Sequence, residues 1–270
     1  MNAVDIAERM PDVPALLDRC RGLGMTERIL QPSWPREHAY VFERAQCGHG
    51  GWTLTMYREG QKFSVHFHEA GVLVYGWDRD SPFTWNDDVH DWGSGTVWPK
   101  IMAQIPEELG PCLRAGIGQV LYDDEEHKWH MLSLVTWRLA ADSAWRSGEY
   151  EIPSDEYEAE SLHGSWESSA DLLVDLLDPS PSNIEWSGVI GPDSIDPDDP
   201  AIGSVETGMS MEEAIRHILA LRPLTEQVVR TLNPDRGLAD VTDDITAVGY
   251  PQPDAEGRLR PLGSEAGPLG

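Results

Sequence analysis

The sequence is poor in the residues that build disulfide scaffolds, membrane spans and nucleic-acid surfaces. Its three cysteines, Cys20, Cys47 and Cys112, are scattered over 270 residues. An odd, unpatterned set suits reduced thiols in a cytosol and argues against a stapled fold. No apolar run reaches the roughly 20 residues of a membrane helix. The first residues carry no basic segment followed by an apolar core, so no signal peptide is expected and the location is read as cytoplasmic. Basic residues are few, 20 Lys and Arg against 47 Asp and Glu, for a net charge of −27. That balance repels nucleic acid and anionic membranes and suits a basic protein partner. Catalytic signatures are missing as well. There is no H-E-x-x-H, no D-x-D-x-D-G loop and no phosphate-binding glycine loop. Ser81, Ser94 and Ser133 lack G-x-S-x-G surroundings, and no motif asks for a cofactor.

What is present centres on residues 50–98. Trp52, Leu54 and Met56 alternate with Thr53, Thr55 and Tyr57, and Phe63, Val65 and Phe67 alternate with Ser64, His66 and His68. Val72–Trp77 is almost wholly apolar and reads as the most buried strand. Short turns at 58–61 and 69–71 link the three. A one-residue slip would turn every side chain to the wrong face, so the pattern also sets the register. Met56 should face Phe63, Leu54 should face Val65 and Trp52 should face Phe67. His66 and His68 then share the opposite face.

The remaining chain supports an α+β fold, with one antiparallel sheet (a β-meander) of about five strands, a typical number, covered by helices on one face. A helix is expected over Val4–Leu23, with Asp12 able to cap and with Gly22 and Gly24 as stop signals. Ala39–Arg44 reads as an edge strand. Trp98-Pro99 opens a helix with Ile101, Ile105 and Leu109 on one face. Lys128–Arg138 and Ala144–Ile152 extend the sheet, and Ser165–Leu177 is an amphipathic helix with Leu172, Leu173, Leu176 and Leu177 inward. The expected organisation is a sheet domain over 1–190, an acidic Pro/Gly linker over 191–208, a helical module over 209–250 and a disordered tail over 251–270. In the module, Ser210 with Glu213 forms a capping box, Thr225 caps a second helix, and Leu238–Val248 is a third, closed by Gly249.

Three clusters could carry chemistry. Cys47, His49, His66 and His68 offer the N and S ligands of a zinc tetrahedron across neighbouring strands, although C-x-H is not the spacing of common zinc modules. The plainer alternative is a packed or solvated sheet face. Asp78, Asp80, Asp87, Asp88, His90 and Asp91 could hold a hard cation or serve a metal-dependent hydrolase together with His66 and His68. The same stretch contains Trp77, Phe83, Trp85 and Trp92. Trp77, Asp78, Asp80, Phe83, Trp85, Asp87, Asp88 and Trp92 therefore read as an interface of aromatic anchors with a charged rim. Glu125, Glu126, His127 and His130 read as surface residues.

Two stretches resemble a group of uncharacterised bacterial proteins. Gly76-Trp77-Asp78-Arg79-Asp80-Ser81-Pro82 is similar to a GFDHES signature that follows a strand, with Arg79 where the group has histidine. Arg222-Pro223-Leu224-Thr225, Leu232-Asn233-Pro234 and Gly249-Tyr250-Pro251 are similar to the group's RPLT…LNP…GYP segment. The resemblance spans most of residues 40–251 and implies a small cytoplasmic protein of the immunity kind. Charge agrees with this. Residues 142–200 hold 16 Asp and Glu against the single Arg146, whereas residues 1–60 are close to neutral. The expected function is a non-enzymatic acidic binding protein that neutralises a basic toxin or partner. A metal-dependent hydrolase and a scaffold module built on the C-terminal helices are the alternatives.

Overall fold

The computed structural model describes residues 3–31, 40–45, 51–58, 61–78, 103–113, 134–148, 173, 176–177 and 207–253. The fold is α+β, and the sheet has six strands in chain order. They are β1 (Tyr40–Arg44), β2 (Trp52–Arg58), β3 (Gln61–His68), β4 (Gly71–Asp78), β5 (Leu134–Leu139) and β6 (Arg146–Ser147). Among the described residues the bounded α-helices are α1 (Ala3–Arg9), α2 (Val13–Leu30), α3 (Met211–Leu219), α4 (Glu226–Leu232) and α5 (Thr242–Val248). Two compact units result. One comprises Met1–Pro11 and Ala45–Leu177, the other Asp12–Arg44 and Asp178–Gly270.

In the first unit, β2 to β6 pair antiparallel in succession. The β2–β3 register is Trp52↔Phe67, Leu54↔Val65 and Met56↔Phe63, the pairing that alternation predicts. Trp52, Leu54, Met56, Phe63, Val65, Phe67, Val72 and Val74 form one buried face. The other face is buried too, including Ser64, His66, Leu73, Tyr75 and Val135, so the sheet is covered on both faces and not on one. Part of the second cover comes from the segment around the short 3-10 helix Glu107–Leu109, where the Tyr75 hydroxyl donates to the Cys112 carbonyl at 3.5 Å. The continuous helix expected through Ile101, Ile105 and Leu109 is broken at Pro106, whose backbone is extended (ψ 137°) and whose ring nitrogen cannot donate. Ile105 and Leu109 are nonetheless both buried. The expected Ser165–Leu177 helix is seen at Leu173, Leu176 and Leu177, with Leu173 and Leu176 buried. Its other residues lie outside the described ones.

The second unit is built on α2. Asp12 caps it, accepting from the Ala15 amide at 2.9 Å, so the stretch expected as one helix over Val4–Leu23 is two helices separated at Met10–Asp12. Nor do Gly22 and Gly24 stop α2, which runs on to Leu30. Their role is close approach. A Cβ on Gly24 would stand 2.4 Å from Phe42 Cβ, and one on Gly22 would stand 3.1 Å from Leu219 Cα. Leu16, Cys20, Leu23, Met25 and Ile29 are fully buried in the same unit as Ile215, Ile218, Val228, Val229, Val241 and Val248. The capping box of Ser210 and Glu213 is formed at the start of α3. Thr225 accepts from the Val228 amide to cap α4, and Gly249 closes α5 in the left-handed region at φ 62°. Order also passes the expected end of the module, since Pro251 is buried.

Candidate functional site

Of the residues proposed as an aromatic and acidic interface, Trp77 and Asp78 end β4, with their Cα atoms opposite Lys62 and Gln61. Asp80, Phe83, Trp85, Asp87, Asp88 and Trp92 lie outside the described residues, as do His90 and Asp91. So do Cys47 and His49 of the zinc candidate and the cluster Glu125, Glu126, His127 and His130.

His66 and His68 lie on one face of β3, as alternation requires, and they are only 3% and 7% exposed. Their chemistry differs. The Ala70 amide donates to His68 Nδ1 at 3.2 Å. A backbone N–H can only donate, so Nδ1 carries a lone pair and the single proton of the neutral ring sits on Nε2. A protonated Nε2 cannot ligate a metal. A metal on Nε2 would therefore require the other tautomer and the loss of the bond from Ala70. His66 Nδ1 meets Thr53 Oγ1 at 3.2 Å, a bond either atom can donate. Its Nε2 is buried and has no hydrogen-bond partner. Burial pushes the His66 ring down to about 4, so it is neutral at neutral pH. Beside it, the Ser64 hydroxyl oxygen is likewise buried without a partner. Among the described residues no three His, Cys, Asp or Glu side chains come close enough to hold a metal ion.

Thiol chemistry has no support among the described cysteines. Cys20 and Cys112 are both buried, and burial drives the Cys20 thiol far above the ordinary range.

Several polar side chains of the second unit hold its backbone carbonyls in place. The Tyr250 hydroxyl donates to the carbonyls of Ile218 (3.1 Å) and Arg222 (2.8 Å). His217 Nε2 donates to the Pro223 carbonyl at 2.8 Å and Asn233 Nδ2 to the Ile29 carbonyl at 2.9 Å. The Arg236 guanidinium reaches the Arg28 carbonyl at 2.7 Å and the Asp244 carboxylate at 2.9 Å, and Asp244 also pairs with Arg28.

Sequence reasoning missed one concave site. A cleft of about 350 Å³ runs beside α3, lined by Met209, Glu213, Arg216, His217, Arg222 and Gln227, with Gly208 and Ala220 as its small residues. Its parts come from three separate turns of chain, and no local spacing marks them.

No family model, no curated protein and no solved structure matches this chain. Among the described residues no helix is long and apolar enough to cross a membrane.

Proposed function

We propose that the chain is a non-enzymatic acidic binding protein of the immunity type, neutralising a basic protein partner. The observation that carries this reading is the concentration of 16 acids against one arginine in residues 142–200. That lone Arg146 pairs with Asp142 at 3.2 Å, so it is already committed locally. The rest of the stretch is then available to steer a cationic surface toward the chain. The GFDHES-like and RPLT…LNP…GYP-like segments support the same reading. The stretch from Trp77 to Trp92 is the proposed anchor region.

Full-length protein, used as bait at about 0.05 M and about 0.5 M salt, tests it, because screening lengthens the odds against exposed ion pairs. A basic partner should be captured at low salt with an on-rate that falls steeply as salt rises. Neutralising Asp155, Glu156, Glu158 and Glu160 to amides should flatten that salt slope. Capture that is equal at both salts and unaffected by the amide variant would remove the reading.

The hydrolase alternative keeps one favourable observation, the buried and neutral His66 with a free Nε2. Against it, metal binding at His68 Nε2 would cost the bond that Nδ1 accepts from the Ala70 amide. Elemental analysis of gently purified protein separates the two readings: about one equivalent of bound metal would favour the hydrolase. The scaffold alternative needs point variants on exposed positions of α3 to α5, not truncation, because α2 belongs to the same compact unit.

A further inference from the structure

We propose that the cleft beside α3 binds a small dianion, a carboxylate or phosphate ligand, with Arg222 as the residue that reads its charge. The inference stands apart from the acidic stretch and the Trp77–Trp92 region on which the proposed function rests. A cleft of about 350 Å³ falls within the range of small-ligand sites. Its charges can be accounted for one at a time. Glu213 is turned to the start of α3, where its Oε2 accepts from the Ser210 amide (2.8 Å) and hydroxyl (3.0 Å). Arg216 donates to Glu212 one turn earlier. Gln227 donates to the Thr207 carbonyl at 2.7 Å. Arg222 remains. Its side chain is exposed and makes no ion pair or side-chain hydrogen bond with a described residue.

The backbone that carries Arg222 is held firmly. Its amide donates to the His217 carbonyl at 3.3 Å and its own carbonyl accepts from Tyr250 at 2.8 Å. Leu221, just before it, occupies the left-handed region at φ 50°. This is the Schellman ending of α3, with leucine where glycine is usual. It presents Arg222 at the cleft on a fixed stem. The end of a helix normally repels anions through its free carbonyls. Here those of Arg216, His217 and Ile218 are taken by the Ala220 amide, the Arg222 amide and the Leu221 amide with the Tyr250 hydroxyl. An unpaired guanidinium on a rigid stem, in a cleft whose other charges are already engaged, can pair its fork of N–H groups with two oxygens of a carboxylate or phosphate.

Titration of the full chain with inorganic phosphate, and separately with succinate, at constant ionic strength tests this. Backbone amide shifts of Gly208, Ala220 and Gln227 are the readout. Saturable shifts are expected with at least one of the two, and the arm that saturates at lower concentration identifies the ligand class. Arg222→Gln keeps the backbone bonds and should weaken binding by about tenfold, the worth of one charge-assisted contact. Arg222→Lys should lose less. Arg230→Gln removes an equal charge from α4 outside the cleft lining and should change affinity by less than about twofold. Absence of saturable shifts in both arms overturns the proposal. So does an Arg222→Gln variant that binds like the parent, or one that loses no more than Arg230→Gln.

Discussion

His66 and Tyr75 lie ring on ring, their centroids 5.1 Å apart and their planes within 2° of parallel. Both rings are buried, so a proton added to His66 meets little solvent and, among the described residues, no compensating carboxylate.

That arrangement sets a pH dependence. The ring titrates near 4 in the folded chain, below its ordinary value of 6.5. The unfolded chain therefore takes up the proton first as pH falls. The resulting stability is fully present above about pH 6.5 and is lost as pH drops toward 4, for a total of about 3 kcal/mol. By pH 5 the loss should be about 2 kcal/mol. His66→Phe keeps a ring against Tyr75 and cannot be charged. Urea midpoints at pH 7 and pH 5 should therefore differ less for the variant than for the parent. Equal differences would mean that His66 does not titrate as a buried base.

Gly24 and Gly22 predict a sign. In an exposed helix interior, glycine to alanine stabilises by up to about 1 kcal/mol. Gly24→Ala should instead destabilise by about 1–3 kcal/mol, because the new methyl would stand 2.4 Å from Phe42 Cβ. Gly22→Ala meets Leu219 at 3.1–3.2 Å and should cost less. Thermal melts of both variants check the order, and a stabilised Gly24→Ala would contradict the packing of α2 on β1.

Tyr250→Phe removes the one hydroxyl proton shared between two carbonyls, those of Ile218 and Arg222. The expected cost is about 1–3 kcal/mol. Amide exchange at Leu221 and Arg222 should accelerate more than exchange in β3. Uniform acceleration throughout the chain would show that the bonds are not local clamps.

Trp52 is 4% exposed on the apolar face of the meander. Trp52→Ala should cost about 3–5 kcal/mol. If the Trp77–Trp92 stretch is a partner surface, Trp85→Ala and Trp92→Ala should each cost clearly less, since their sequence neighbours Asn86, Asp87, Asp88, Asp91 and Gly93 cannot build a core around them. Equal losses in urea melts would take away the main support for an interface there.

The meander was legible because alternation of large apolar residues leaves one workable register, and Trp52↔Phe67 with Leu54↔Val65 is that register. Caps at Asp12, Ser210 and Thr225 were legible because each is a contract between residues three apart. Gly22 and Gly24 misled because a glycine needed for a neighbour's approach looks, locally, like a glycine that ends a helix. The expectation for α2 failed for a related reason: its contacts with α3 come from nearly 200 residues away, and no window along the chain contains both. The cleft escaped notice in the same way, being assembled from a turn, a helix face and the start of a second helix.

The membership of α2 in the C-terminal unit has a consequence for the order in which the chain is made. Val13–Leu30 is made well before Met211–Leu219, the helix that Gly22 lets approach it closely. At ordinary translation speeds that is a wait of roughly ten to forty seconds with an oily stripe uncovered. A chain interrupted before Met211 would therefore leave α2 without the helices of its own unit and expose an adhesive face.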